Sequence, residues 1–257
     1  MGMSKVRLET FMRKIKLKVA YDGTSYCGWQ VQPNGITIEE VLNKTLSSFF
    51  KQDIRVTGAS RTDAGVHALG AVCTFEFEHT MPAEKVAFAI NSYLPDDIVL
   101  QSSEEVDPSF HPRYDAKEKT YIYKILNRKM PLPLERFDTH FYYYPLDEKK
   151  MNDAASHLVG EHDFTSFASP HYTAKTTVRN IYECSVSRSD EDIITIKIRG
   201  NGFLYNMVRI IAGTLIEVGG GKLSPEDISV ILEKKDRDAA GPTAPAKGLT
   251  LVEVRYS

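Results

Sequence analysis

The chain is poor in cysteine. Three occur in 257 residues, Cys27, Cys73 and Cys184, far apart and with no CxxC. An odd number at long spacings argues against a disulfide framework and against a thiolate zinc site. Small, buried or half-buried thiols of a cytoplasmic protein are expected instead. No apolar run approaches the roughly 18 residues that a membrane-spanning helix needs. The residues ahead of Met12 lack the apolar stretch of a signal peptide and read as a loose extension, residues 1–11. There is no P-loop, no GxGxxG after a strand and no GxSxG, so no nucleotide cofactor is suggested. Neither HxxxH nor HExxH occurs, and the seven histidines are scattered, so no metal is expected. Net charge is also small, −2, and does not announce a nucleic-acid partner.

The distribution of charge says more than its sum. Lys5, Arg7, Arg13, Lys14, Lys16 and Lys18 crowd the start, against Glu9. Arg113, Lys117, Lys119, Lys124, Arg128 and Lys129 form a second cluster, against Asp115 and Glu118. These are either solvated strand edges or faces that meet phosphates.

Periodicity predicts an α+β fold. "KIKLKVAY" alternates Ile15, Leu17 and Val19 with lysines and reads as a strand with one wet face. "TIEEVLNKTLSSFF" opens with Thr37 and Glu40 at capping-box spacing and then lays Leu42, Leu46 and Phe49 along a helix. "DIRVTGAS" and "AVCTFEFE" follow as strands, "PAEKVAFAINSYL" as a helix and "DIVLQSSEEV" as a strand. After Pro108 to Pro112 the theme returns. "TYIYKILN" is a strand, and "LDEKKMNDAASHLVG" is a helix from Asp147 to Gly160. "TVRNIYECSVSRS" and "DIITIKIRG" are a strand pair. "GFLYNMVRIIAGTLIEVGGG" is a helix, "SPEDISVILEKK" a second one capped by Ser224, and "GLTLVEVRYS" a final strand. The repeated order suggests two similar α+β halves, 12–110 and 113–257, whose antiparallel sheets leave a cleft between them.

The stretch "GASRTDAGVHALG" combines Arg61, Asp63 and His67 with flanking glycines. Asp63 has two readings: an Asx turn bonding its own backbone, or an oriented carboxylate available as base or nucleophile. His67 reads as a hydrogen-bonded or surface histidine. Any single tyrosine of "TYIY" or "FYYYP" is ordinarily a sheet-face residue.

"AYDGTSYCGWQVQPNG", "RTDAGVHA", "GEHDFTSFAS", "GFLYNMVRIIAG" and "GLTLVEVRY" occur here in the order seen in the TruA family of tRNA pseudouridine synthases, which the chain resembles from about Ile15 to Tyr256. Ser60 departs from the pattern, standing where the family often has glycine. The resemblance implies two RRM-like, ferredoxin-like halves around a central basic cleft, a homodimer, and no cofactor or metal. It implies isomerisation of uridine in the tRNA anticodon stem-loop, at three adjacent tRNA positions, 38 to 40. Carried over residue by residue, it makes Asp63 the catalytic aspartate and Arg61 an RNA contact or an aid to base flipping. Tyr121 would stack on the uracil, Arg209 would pair with the carboxylate, and Leu249 would pack beside the base. A non-catalytic RNA-binding protein would need the basic clusters but not an intact "RTDAG" with Arg209, and the glycine-aromatic RNP string of RRM domains is absent. A metal-dependent hydrolase would lack a ligand set.

Overall fold

Alternation governs the first strand, β1 (Met12–Tyr21). Ile15, Leu17, Val19 and Tyr21 are buried while Lys14 and Lys16 reach the glutamates Glu76 and Glu104 of neighbouring strands. The computed structural model describes residues 12–170, 174–190 and 192–257. The expected N-terminal extension, with Lys5 and Arg7, lies outside the described residues. Helix α1 (Ile38–Phe50) buries Ile38, Leu42, Leu46 and Phe50, a four-residue spacing that keeps one side inward. Thr37 caps it, its hydroxyl accepting from the Glu40 N–H at 3.3 Å. A cap of this kind stabilises by about 1 kcal/mol. Then come β2 (Thr57–Gly58), β3 (His67–Glu78), α2 (Ala83–Asn91) and β4 (Ile98–Val106).

The remainder of the chain contributes β5 (Glu118–Asn127), β6 (His140–Tyr142), α3 (Glu148–Ser156), β7 (Gly160–Asp163), β8 (Val178–Arg188) and β9 (Ile193–Gly200). It ends with α4 (Met207–Gly219), α5 (Asp227–Lys234) and β10 (Leu249–Arg255). The result is a mixed α+β fold. The sheets expected of the two halves lie side by side and are continuous. They form one ten-stranded sheet in the order β4-β1-β3-β10-β5-β9-β8-β7, with β2 beside β3 and β6 beside β5. The seam between the halves is the parallel pairing of β10 with β3, Thr250 against His67 and Leu251 against Ala68. On its other edge β10 runs antiparallel to β5, setting Leu251 against Tyr121.

Several elements differ from the periodicity reading. "DIRVTGAS" supplies only the two residues of β2: ahead of them the Ile54 and Val56 N–H groups donate to the Ser47 hydroxyl and the Asn43 side-chain oxygen of α1 rather than to a strand. Helix α3 starts at its Asp147 cap as expected but ends at Ser156, and Gly160 opens the unforeseen strand β7. Helix α4 starts at Met207, not at Gly202: Asn206 sits at φ 59, which a right-handed helix does not admit. Ser224 does not cap α5. The Asp227 carboxylate accepts from the Ser224 N–H at 2.7 Å instead.

Two glycines permit close backbone approaches beside the cleft. Gly28 has φ +86, and a Cβ there would stand 2.6 Å from the Thr62 carbonyl oxygen. Gly213 lets α4 touch the chain at Pro242, whose carbonyl oxygen would lie 1.8 Å from an added Cβ. Thr214 strengthens that contact by accepting from the Gly241 N–H at 2.9 Å.

Candidate active site

Strands β3 and β10 are parallel neighbours, so the residues just ahead of each emerge at the same end of the sheet. The loop with Arg61 and Asp63 precedes β3, and Leu249 begins β10. Tyr121 and Lys119, two apart on β5, share a face. The N-terminal turn of α4 brings Arg209. All six residues line one cleft of about 900 Å³ between the two halves, a volume typical of a binding site.

The loop is held from several directions. Trp29 N–H donates to the Thr62 carbonyl at 3.0 Å, and Ala59 N–H to the Val72 carbonyl at 2.8 Å. The Tyr21 and Thr62 hydroxyls share a buried 2.8 Å bond. Lys119 Nζ donates to the Ala59 carbonyl at 3.0 Å. Close passage of Gly28 under Thr62 completes the cradle.

Asp63 does not bond its own loop backbone through its side chain. Its Oδ2 accepts from Arg209 Nη1 at 3.0 Å, with both side chains mostly buried. Arg209 is fixed in turn. Its Nε donates to the Ala244 carbonyl at 2.8 Å and its Nη1 to Asn206 Oδ1 at 2.9 Å. The Ala244 carbonyl is in place because Gly213 and Thr214 dock that segment on α4. A charge-assisted bond from so constrained a guanidinium sets the direction of the carboxylate. The Asx reading of Asp63 thus gives way to the pair with Arg209.

Tyr121 is 8% exposed and meets Phe203 edge to face, 5.2 Å between centroids. Burial, with the Asp63 charge adding to it, pushes its phenol up to about 12. Leu249 is 6% exposed on the same wall. Arg61 is exposed and, among the described residues, makes no ion pair. The structure therefore brings Arg61, Asp63, Tyr121, Arg209 and Leu249 together.

Sequence reasoning did not single out three further cations. Arg113, Lys119 and Arg179 line the cleft, and among the described residues none of them reaches a carboxylate. Lys119 is half-buried, and the loss of solvent around it with the charges of Arg113 and Arg179 brings it down to about 8. Counting Arg61 and Arg209, five cations face two carboxylates, Asp63 and Glu39. The second basic cluster contained Arg113 and Lys119, but nothing in spacing separated them from Lys117 or Lys124. Lys124 pairs with Asp138 at 3.0 Å.

His67 lies behind the loop. Its Nδ1 accepts from the Gly23 N–H at 3.0 Å, and Nε2 is 3.0 Å from the Phe137 carbonyl and 3.2 Å from that of Lys247. It is a hydrogen-bonded histidine that ties the two halves, as expected. Among the described residues no group of three or more His, Cys, Asp or Glu could hold a metal, and none of the described helices is long and apolar enough to cross a membrane.

Comparison with known proteins bears on this cleft. Residues 18–115 and 154–257 match the family model described as tRNA pseudouridine synthase. The chain is 47% identical, over 95% of its length and 100% of theirs, to the proteins named tRNA pseudouridine synthase A of Thermoanaerobacter sp. (strain X514) and Acetivibrio thermocellus. Identity to the protein of that name from Ruminiclostridium cellulolyticum is 48% at the same coverage. Among solved structures, a chain of the archaeal box H/ACA sRNP Nop10-Cbf5 complex superposes at TM-score 0.35 and 11% identity, over 88% of this chain and 60% of its own, too loose a likeness to argue from.

Proposed function

The chain belongs to the tRNA pseudouridine synthase family, and from that premise we propose that this isomerase converts uridines of the tRNA anticodon stem-loop at three adjacent positions, with Asp63 as the catalytic carboxylate. The observation that carries the reading is the Asp63–Arg209 pair inside a cleft with an excess of free cations.

Isomerisation breaks an N-glycosidic bond, turns the base and rejoins it through carbon. The bond is out of reach in a stacked stem, so the nucleotide is extruded at a cost of about a few kcal/mol. Phosphates flanking it meet Lys119, Arg113 and Arg179, whose charges no carboxylate of the described residues satisfies, and Arg61 takes the phosphate or base at the rim. The uracil lies on the Tyr121 ring, where stacking contributes about 1–3 kcal/mol, with Leu249 excluding water beside it. Held there, the freed base turns without escaping. Asp63, aimed by Arg209, is the carboxylate at the reacting sugar and base.

The first half follows a β-α-β-β-α-β order, and so does the second once the additional β6, β7 and α5 are set aside, each with its fourth strand beside its first: β4-β1-β3-β2, then β10-β5-β9-β8. This supports two RRM-like, ferredoxin-like halves, 12–110 and 113–257, with β10 closing the seam. The homodimer rests on the family resemblance. The enzyme works in the cytoplasm, where its tRNA substrate is.

Tritium release from an anticodon-arm transcript labelled at uracil C5, with pseudouridine mapped along the product, tests the proposal. Release from the anticodon arm in chelator is expected. No release, or modification confined to another arm, would overturn it.

A further inference from the structure

Residues 107–117 connect β4 to β5 and are fastened to both halves of the fold. Lys14 of β1 donates to the Pro108 and Phe110 carbonyls at 2.6 and 3.3 Å. From the far end of the chain, Tyr256 sets its ring 4.9 Å from that of Phe110 and donates its hydroxyl to the Pro112 carbonyl at 2.8 Å. The Lys117 N–H donates to the Arg255 carbonyl at 2.8 Å. Between these anchors the chain closes on itself at residues 111–115. The Asp115 carboxylate accepts from the His111 N–H at 2.8 Å, and the Asp115 N–H donates to the His111 carbonyl at 3.0 Å. His111 Nδ1 accepts from the N–H groups of Arg113 and Tyr114 at 3.2 and 3.3 Å.

The clamped turn presents an aromatic ring. Tyr114 lies against the His111 ring, 4.2 Å between centroids with 34° between their planes, yet it is 75% exposed. One ring face is backed by the imidazole and the other is open. Both residues line the cleft, with Arg113 between them. Of the described aromatic residues on the cleft wall, Tyr114 is the most exposed, whereas Tyr121 is buried. The cleft thus carries aromatic rings at two depths, at its mouth and on its inner wall. An open ring face held on a fixed backbone suits a flat, apolar partner. The cations beside it, Arg113 and Arg179, reach no carboxylate among the described residues, so the partner also carries negative charge. A base attached to its phosphate has both properties.

We infer that Tyr114, backed by His111, is a second base-stacking site at the cleft mouth, and that it takes an unpaired base of the anticodon loop while Tyr121 holds the target uracil. A base paired within the stem keeps its faces covered by its neighbours, whereas loop bases can be splayed out and stacked on aromatic side chains. Arg113 meets the phosphate of the same nucleotide. The inference rests on the reading that the cleft takes the anticodon arm.

Filter binding of an anticodon-arm transcript to the full chain, with a scan of abasic substitutions through its loop, tests the site. Tyr114→Ala is expected to weaken binding about tenfold, the loss of one stacked base. Tyr114→Phe should bind as wild type does, and Tyr114→Leu, which still covers His111 but offers no aromatic face, should bind like alanine. The salt slope should not change, because no charge is removed. At saturating RNA the single-turnover rate should stay within about twofold of wild type, because the site holds no reacting atom. One abasic loop position should cost about tenfold in the wild type and nothing further in Tyr114→Ala. Unchanged affinity in Tyr114→Ala, equal losses in the alanine and phenylalanine variants, a loss confined to the saturated rate, or additive losses at every abasic position would each overturn the inference. A wild type that neither binds nor turns over the arm would instead overturn the proposed function, and this inference with it.

Discussion

The cations of β1 and the cations of the cleft look alike in sequence and meet opposite surroundings. On β1, Arg13 pairs with Glu105 at 2.6 Å, Lys14 with Glu76 at 3.1 Å and Lys16 with Glu104 at 2.5 Å. The acids come from the adjacent strands β3 and β4, so the sheet neutralises its own lysine row. In the cleft, Arg61, Arg113, Lys119 and Arg179 have no such partners among the described residues. Lys119 is the extreme case, half-buried beside the like charges of Arg113 and Arg179. Burying a cation without its anion is unfavourable, and a polyanion entering the cleft relieves it. If RNA binds in the cleft as proposed, charge density along the chain is a poor guide to its site and unpaired charge in the fold a better one. Of the two cleft carboxylates, Asp63 is tied to Arg209 and Glu39 accepts from the Val31 N–H, which leaves the other cations without a carboxylate among the described residues.

Substitutions sharpen or break this contrast. Asp63→Asn keeps the shape of the side chain and removes the acid. Single-turnover pseudouridine formation should fall about 10,000-fold, while filter-binding affinity for the anticodon arm stays within a few fold. Arg209→Met leaves the carboxylate unaimed, and the rate should drop about 100-fold with a smaller change in affinity. Lys119→Met should weaken RNA binding about tenfold at low salt and reduce the salt slope by about one. The double change Lys14→Gln with Lys16→Gln should alter affinity and rate by less than about twofold, because those charges are already spoken for. A large effect of the β1 pair, or none at Lys119, would erase the distinction.

Lys119 also predicts a pH dependence. Its value in the fold is about 8 against an ordinary 10.5, so its charge is present below pH 8 and lost above it. RNA affinity should therefore decline between about pH 7 and 9.5, and Lys119→Met should flatten the decline. In the free protein the sign is reversed. Between about pH 8 and 10.5 the unfolded chain binds the proton that the fold has released, so Lys119 makes stability rise with pH. Chemical denaturation across that window checks this.

Local signals in the sequence located the elements whose residues pack only with neighbours of ordinary pattern. The Thr37 cap and the inward Leu42 and Leu46 of α1 are where spacing puts them, though Phe50 rather than Phe49 completes the buried face, and the alternation of β1 is plain. Errors arose where backbone geometry outweighs composition. Phe203 and Leu204 read as the start of an apolar helix, but the left-handed Asn206 holds them in the cleft wall. Strand β7 has only four residues, Gly160–Asp163, with a histidine and two acids, and carries no alternation to detect. The site itself was legible through resemblance rather than spacing: Asp63 and Arg209 are 146 positions apart. No resemblance or period marked Lys119 off from Lys117. Only the packing of β5 against the Ala59 carbonyl does that.

The most direct measurement is a structure of the Asp63→Asn protein with an anticodon-arm RNA. A uridine extruded into the cleft is expected, its base between Tyr121 and Leu249 and its flanking phosphates against Lys119 and Arg179. RNA lying along the β1 face, or a target base still stacked in its stem, would contradict the RNA-binding role of the unpaired cleft cations.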